Sequence, residues 1–392
     1  MEQKPKKICL ISVFSHEAFF IPLSHLREIL GEMSLTSYSI LAVSPELADK
    51  MAFDSRKDDI IIYKKQTNPL LRAINYCVLN LKISKKILLG SKDVESYVFF
   101  WASGFLLPMI CAKLRGKKII WLLPSSLRKM DEHPTNFLNL LAIPLQSLSY
   151  SIADNIVLYS PNLIREWELH KYSDKILIAH EHFIHCDTFT VTTPLYNRPQ
   201  LIGYIGRLSE EKGVRSFVKA LPAVISNRND LRVFIGGDGP LQEEIVVFLK
   251  KVNLLTHVKI AGWIPHDCLP HSLNMLQLLV IPSFTEGLPN IILEAMACGT
   301  PVLATSVGAI PDIIKDGETG YIMENNSPVC IAENITRVLG DPDREKIAMN
   351  ARKMVESDFT FDTTLTQWKR ILLKNEPSIV HTSLNMAQTT DK

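Results

Sequence analysis

The chain has 392 residues, too many for one ordinary hydrophobic core, and two domains of roughly 150 to 200 residues are expected. A formal net charge of +2 lacks the basic excess of a general nucleic-acid binder, so no nucleic acid is expected as a partner. Seven cysteines, an odd number without a Cys-x-x-Cys pair, include Cys9, Cys77, Cys111 and Cys298 in apolar runs; this argues against a disulfide framework or zinc site and suits reduced thiols in the cytoplasm.

The N-terminal Met1–Lys7 runs directly into the apolar stretch Ile8–Phe14, too short for a signal peptide core and its cleavage site, and better read as a first strand. Phe20–Met33 follows with Ile21, Leu23, Leu26, Ile29 and Leu30 at helical spacing, then a strand at Tyr38–Val43. The pattern continues with a strand at Ile60–Tyr63 and a helix from Pro69 to about Lys86, carrying Leu70, Ile74, Val78 and Leu81 on one face. The longest uncharged apolar stretch, Tyr97–Ala112, is shorter than the ~20 residues of a spanning helix and contains Gly104 and Pro108; it reads as strand, loop and helix start. Strands at Lys118–Leu123, Asn155–Tyr159 and Lys175–Ala179 alternate with helices around Phe137–Ile152 and Pro161–His170. Such alternation predicts a parallel sheet.

Between Cys186 and Pro199 the periodicity stops in a Thr- and Pro-rich stretch, which places a domain boundary there. Beyond it the alternation resumes, with strands at Leu201–Ile205, Leu231–Ile235, Val258–Ala261, Leu278–Ile281, Val302–Ala304 and Tyr321–Met323. The expected organisation is a first domain at 1–190 and a second at 198–360. A last helix, 361–374, packs back on the first domain, and a polar tail covers 375–392.

Three stretches of the second half carry chemistry. Gly206-Arg207-Leu208-Ser209-Glu210-Glu211-Lys212-Gly213 follows a strand, and its forked guanidinium and point-charge ammonium suit a diphosphate. A surface loop of mixed charge fits the stretch equally well. A structural turn likewise explains Gly236-Gly237-Asp238-Gly239-Pro240 as well as a ligand does. In the third stretch, Glu286 stands in the Gly/Pro loop after Leu278–Ile281, and Glu294 stands one turn into an otherwise apolar helix. A carboxylate there is costly unless something pairs with it, and a carboxylate can accept from two sugar hydroxyls at once. Together these features describe a nucleotide-sugar site.

With Gly287-Leu288-Pro289-Asn290, Gly299-Thr300-Pro301-Val302, Gly308, Pro311 and Asp316-Gly317-Glu318-Thr319-Gly320, these motifs resemble, in the right order and across almost the whole second half, the retaining glycosyltransferases of the B fold, family four. The resemblance implies an α/β protein with two Rossmann-like domains facing each other across a cleft, the donor held mainly by the second. It implies a hexosyl transfer from a nucleotide diphosphate sugar, of UDP or GDP type, to a hydroxyl of a glycan or lipid-linked acceptor, in polysaccharide or glycolipid biosynthesis. It gives Arg207 and Lys212 to the diphosphate, Glu286 to the transferred sugar and Glu294 to the ribose. Gly206 and the backbone of Gly287, Leu288, Pro289 and Asn290 face the donor, and the turn at Trp263-Ile264 borders the base. No metal or cofactor is implied. Another B-fold enzyme, an epimerase or phosphorylase, or a non-catalytic nucleotide-sugar-binding subunit, would use the same donor contacts.

The first half matches this pattern less. Ser15-His16-Glu17-Ala18 stands where a glycine-rich loop is common, Leu123-Pro124-Ser125-Ser126 where a histidine motif is, and His180-Glu181-His182-Phe183-Ile184-His185 where an Asn-Gly turn is. His133 offers a lone imidazole that a solvated loop also explains. His180, His182 and His185 resemble metal ligands by spacing, but their alternation suggests a strand edge near the hinge. Nine lysines and arginines fall between Arg56 and Lys92 against Asp58 and Asp59, so segment 56–92 is a candidate for docking on the inner face of a membrane; a solvated helix face is the alternative.

Overall fold

The computed structural model describes residues 7–14, 20–33, 35–50, 57–64, 66, 68–100, 105–123 and 146–373. Ser15–Ala18, Pro124–Ser126, His133, the start of the helix expected at 137–152, and the tail from 375 lie outside the described residues. The chain divides into two compact units, one formed by residues up to His182 and from Thr364 onward, the other by Phe183–Thr363.

The first unit is a seven-stranded sheet of β1 (Lys7–Phe14), β2 (Thr36–Val43), β3 (Asp58–Ile62), β4 (Val94–Phe100), β5 (Lys118–Leu123), β6 (Asn155–Leu158) and β7 (Ile176–Ile178). The order is β3-β2-β1-β4-β5-β6-β7, with every pairing parallel. Its central strands are apolar throughout because helices cover both faces: Val98–Phe100 and Ile119–Leu123 are buried without alternation. The helix Phe20–Glu32 supplies Leu23, Leu26, Ile29 and Leu30 to that core, as the spacing predicts.

The basic helix extends over Pro69–Leu89, capped at its start by Asn68 Oδ1 accepting from the N–H groups of Leu70 and Leu71. Its orientation corrects the simplest reading of its pattern. Leu70, Ile74, Val78 and Leu81 face solvent, while Leu79, Ile83 and Ile87 are buried with Asn80 and Ser84. Two apolar stripes compete on this helix, and the one carrying Leu79, Ile83 and Ile87 is buried.

The second unit is a six-stranded sheet of β8 (Leu201–Ile205), β9 (Arg232–Gly236), β10 (Val258–Gly262), β11 (Leu278–Ile281), β12 (Val302–Thr305) and β13 (Tyr321–Met323). It is again wholly parallel, in the order β10-β9-β8-β11-β12-β13. The helix Val214–Asn227 buries Val214, Phe217, Val218, Leu221, Val224 and Ile225, the stripe that a 3.6-residue period produces. In each sheet the order reverses between the first strand and the fourth, at β1/β4 and at β8/β11. Such a switch point opens a crevice beyond the carboxyl ends of its two strands.

The Thr- and Pro-rich stretch is sewn to the second unit. Arg198 is buried, and its guanidinium donates to the carbonyls of Thr193, Leu276 and Cys298 and to Thr300 Oγ1 at 2.7–2.9 Å. Asn274 Oδ1 accepts from the N–H groups of Thr192 and Thr193, at 2.8 and 3.3 Å. The last helix, Phe361–Leu373, is held in the first unit by Trp368 Nε1 donating to the His180 carbonyl and Thr364 Oγ1 to that of His182.

Candidate active site

The loops that leave β8 and β11 lie side by side at the switch point of the second unit. The first, 206–213, tightens into a 3-10 turn at Glu210–Lys212 and ends at Gly213, which starts the helix Val214–Asn227 in a left-handed conformation, φ 68°. A Cβ on Gly213 would lie 1.9 Å from the Pro282 carbonyl oxygen, so the close approach of the two loops requires glycine there. Phe284 N–H donates to the Glu211 carbonyl at 3.0 Å and ties the loops together. Gly308 is required in the same way: its Cβ would fall 2.2 Å from the Glu286 carbonyl oxygen.

This packing delivers Lys212 to Glu286. The ammonium lies 2.7 Å from both carboxylate oxygens, and Ser283 Oγ donates to Oε1 at 2.7 Å. The Glu286 side chain is 7% exposed and that of Lys212 is 32% exposed, so the pair is sealed on the carboxylate side and open on the ammonium side. Thr305 Oγ1 donates to the Ser283 carbonyl at 2.6 Å and fixes the serine from β12.

Arg207 is placed differently. Its carbonyl accepts from Tyr204 Oη at 2.7 Å, while its guanidinium is 54% exposed and 3.9 Å from Glu211. Gly206 donates its N–H to Gly236, joining the ends of β8 and β9. Gly287 accepts from Ala309 N–H, Leu288 is buried, and Pro289 precedes the helix Asn290–Ala297. Pro289 has no side-chain oxygen, so no side chain caps this helix and its first N–H groups remain suited to an anion.

Glu294 is buried in that helix and separate from the Lys212–Glu286 pair. Its Oε1 lies 3.0 Å from Nε2 of His266, a residue of the 3-10 turn His266–Cys268 after β10. The hydrogen bond to Glu294 raises the His266 pKa above its ordinary value. Trp263 stands exposed on the same turn region. Sequence reasoning missed His266, which has no local signal 28 positions from its partner, and Ser283, whose Ser-x-x-Glu spacing was in plain view. Among the described residues no cluster of three or more His, Cys, Asp or Glu could hold a metal.

A doubly wound parallel sheet with a cation–carboxylate pair and an uncapped helix start at its switch point is an arrangement suited to a phosphate ester. Residues 188–354 match the family described as "Glycosyl transferases group 1". It is similar to the alpha-D-kanosaminyltransferase of Streptomyces kanamyceticus, 30% identical over 167 residues, which are 42% of this chain and 43% of that protein. It is also similar to the capsular polysaccharide biosynthesis glycosyltransferase CapM of Staphylococcus aureus, 32% identical over 168 residues, 42% of this chain and 44% of that one. The matched segment thus spans under half the length of these relatives. The fold of both units is that of B-fold glycosyltransferase structures. Anabaena HepE in complex with UDP and glucose aligns with a TM-score of 0.71 at 16% identity, over 94% of this chain and 99% of that one. Sucrose-phosphate synthase from Thermosynechococcus elongatus aligns with a TM-score of 0.70 at 19% identity, over 93% and 98%.

Proposed function

We propose that the chain is a retaining glycosyltransferase that moves a hexosyl group from a nucleotide diphosphate sugar to an acceptor hydroxyl of a glycan or lipid-linked saccharide. The observation that carries this reading is the Lys212–Glu286 pair at the β8/β11 switch point, with Glu294 one turn into the adjoining helix. Lys212, Arg207 and the start of the helix Asn290–Ala297 supply positive charge where a diphosphate leaves, and that charge stabilises the transition state electrostatically. Glu286 accepts from hydroxyls of the transferred sugar, and Glu294 from the ribose. The bond from the anomeric carbon to the phosphate oxygen breaks while the acceptor oxygen bonds the same face. The acceptor's proton leaves with the diphosphate. On this reading protein groups meet the diphosphate's charge, and the reaction calls for neither metal nor organic cofactor.

The experiment is calorimetric and thermal-shift titration with UDP-, GDP- and ADP-sugars, followed by product analysis with and without an acceptor panel. A donor at a hundredfold excess over its Kd stabilises the fold by about 2.7 kcal/mol. Absence of stabilisation by every sugar nucleotide defeats the reading; binding with isomerised donor but no transfer replaces it with an epimerase.

The reading extends to a cytoplasmic enzyme in peripheral contact with the inner face of a membrane through segment 56–92. What supports this is the outward face of the helix Pro69–Leu89: Leu70, Leu81 and Leu89 are 70%, 59% and 75% exposed, Arg72, Lys82 and Lys85 lie open, and no acidic residue occurs in the helix. No helix among the described residues is long and apolar enough to cross a membrane.

A further inference from the structure

We infer that His266 is a positioning residue for the donor: it holds Glu294 by Oε1, turns Oε2 toward the nucleotide's vicinal hydroxyls, and couples donor affinity to pH. The inference rests on the donor-site reading above and goes beyond it by assigning a residue that no motif marks.

Glu294 stands among Ile292, Leu293, Ala295, Met296 and Ala297, all buried, where an unpaired carboxylate is expensive. His266 Nε2 at 3.0 Å is its one hydrogen-bond partner among the described residues. Oε2 has no such partner, and it is not among the buried polar atoms that lack one, so it keeps access to solvent. A carboxylate pinned at one oxygen and open at the other is prepared to accept from a diol. The imidazole is itself held, edge-on to Phe189 with ring centroids 5.3 Å apart. It is half exposed, so it exchanges protons freely. The carboxylates acting on it are Glu294 from the helix and Asp267 on its own turn; the Phe189 ring packed against it is uncharged, and Asp187, two residues before Phe189, is exposed.

Protonated His266 donates a charge-assisted bond that fixes Glu294; neutral His266 donates a weaker one, and only in the tautomer with a proton on Nε2. Donor affinity is therefore greatest below the raised His266 pKa and declines as pH rises through it.

The test is calorimetry on the full chain with UDP, GDP and ADP, and with the 2′-deoxy form of whichever binds tightest, for wild type, H266A and H266Q. The expected result is a roughly ten- to hundredfold weaker ribonucleotide Kd in H266A, the size of one hydrogen bond to a charged group. A much smaller loss is expected for the 2′-deoxynucleotide, and H266Q should recover part of the affinity while losing the pH dependence. Equal losses for the two sugars in H266A mark a merely structural role and overturn the inference. So does a pH profile in H266Q that matches the wild type. If no nucleotide binds the wild type, the donor-site reading falls and the inference with it; if nucleotides bind wild type and H266A alike, the inference alone falls.

Discussion

Lys212 Nζ lies 2.7 Å from each carboxylate oxygen of Glu286, so the ammonium neutralises the acid with which it is proposed to share a donor. The two partners are unequally buried, and their loss has unequal consequences. Lys212→Ala leaves a sealed carboxylate with only the Ser283 hydroxyl, at a cost of about 1–3 kcal/mol in stability. Glu286→Gln leaves an ammonium that water can reach, at a cost below about 1 kcal/mol. Both should lower kcat/KM by about 10²- to 10³-fold. Urea unfolding alongside kinetics checks this: wild-type turnover in either variant, or the reverse order of stabilities, contradicts the assignment.

Gly213→Ala should damage the site without touching a charged group. The new methyl would collide with the Pro282 carbonyl, in a left-handed backbone conformation that alanine already disfavours by about 1 kcal/mol. The loops must separate, which moves Lys212 from Glu286. Expected are a melting temperature several degrees lower and loss of most donor affinity; a variant with unchanged nucleotide binding would show that the juxtaposition of the loops is dispensable.

Arg198 predicts a stability effect at a distance from the chemistry. Burial lowers its pKa to about 10, yet it remains charged at neutral pH, and it donates to the buried carbonyls of Leu276 and Cys298. Arg198→Ala should cost about 3–5 kcal/mol, and Arg198→Lys should recover little, because one ammonium cannot reproduce the planar fork. Chemical denaturation measures both; a lysine variant as stable as wild type would show that charge, not geometry, matters here.

These residues also show what was legible in the sequence. The alternation of apolar runs with helical stripes gave both parallel sheets, since a strand buried on both faces must be apolar throughout. The glycines at 213 and 308, with Glu286 and Glu294, could be picked out because tight turns and a charged residue in an apolar helix break local rules. His266 broke none: a histidine after a strand is unremarkable until folding brings it to Glu294. The orientation of Pro69–Leu89 was hidden because both of its faces are apolar, and only tertiary packing decides between them.

Stability should fall between neutral and mildly alkaline pH because of Glu181. Its carboxyl is fully buried, accepts from Tyr159 Oη at 2.6 Å, and leaves Oε2 without a partner; burial pushes its pKa up to about 8. The folded chain therefore retains a proton that the unfolded chain releases near pH 4.5. The associated stability is complete below that value and is lost as pH rises to about 8. His180, whose pKa burial lowers to about 4, acts in the opposite sense but only up to its unfolded value of 6.5. From pH 6.5 to 8 Glu181 should contribute a decline of ~2 kcal/mol, and His266, whose pKa the hydrogen bond to Glu294 raises, adds to it in the same sense. Denaturation of wild type and Glu181→Gln across that interval tests the assignment, because the glutamine variant should show a much shallower decline; an unchanged slope would contradict it.

The helix Pro69–Leu89 yields the last prediction. Its outward leucines and its open Arg72, Lys82 and Lys85 offer an anionic bilayer both apolar area and charge, whereas a second copy of the same basic face would be repelled. Cosedimentation with vesicles containing phosphatidylglycerol should exceed that with phosphatidylcholine alone and weaken with salt. Lys82→Gln combined with Lys85→Gln should weaken binding roughly thirtyfold, at about 1 kcal/mol per lysine. Leu70→Ser with Leu81→Ser should weaken it on both kinds of vesicle, because that loss is one of apolar burial rather than of charge. If neither pair of substitutions changes binding, the outward stripe is not the surface that meets lipid, and its exposed leucines require a protein partner instead.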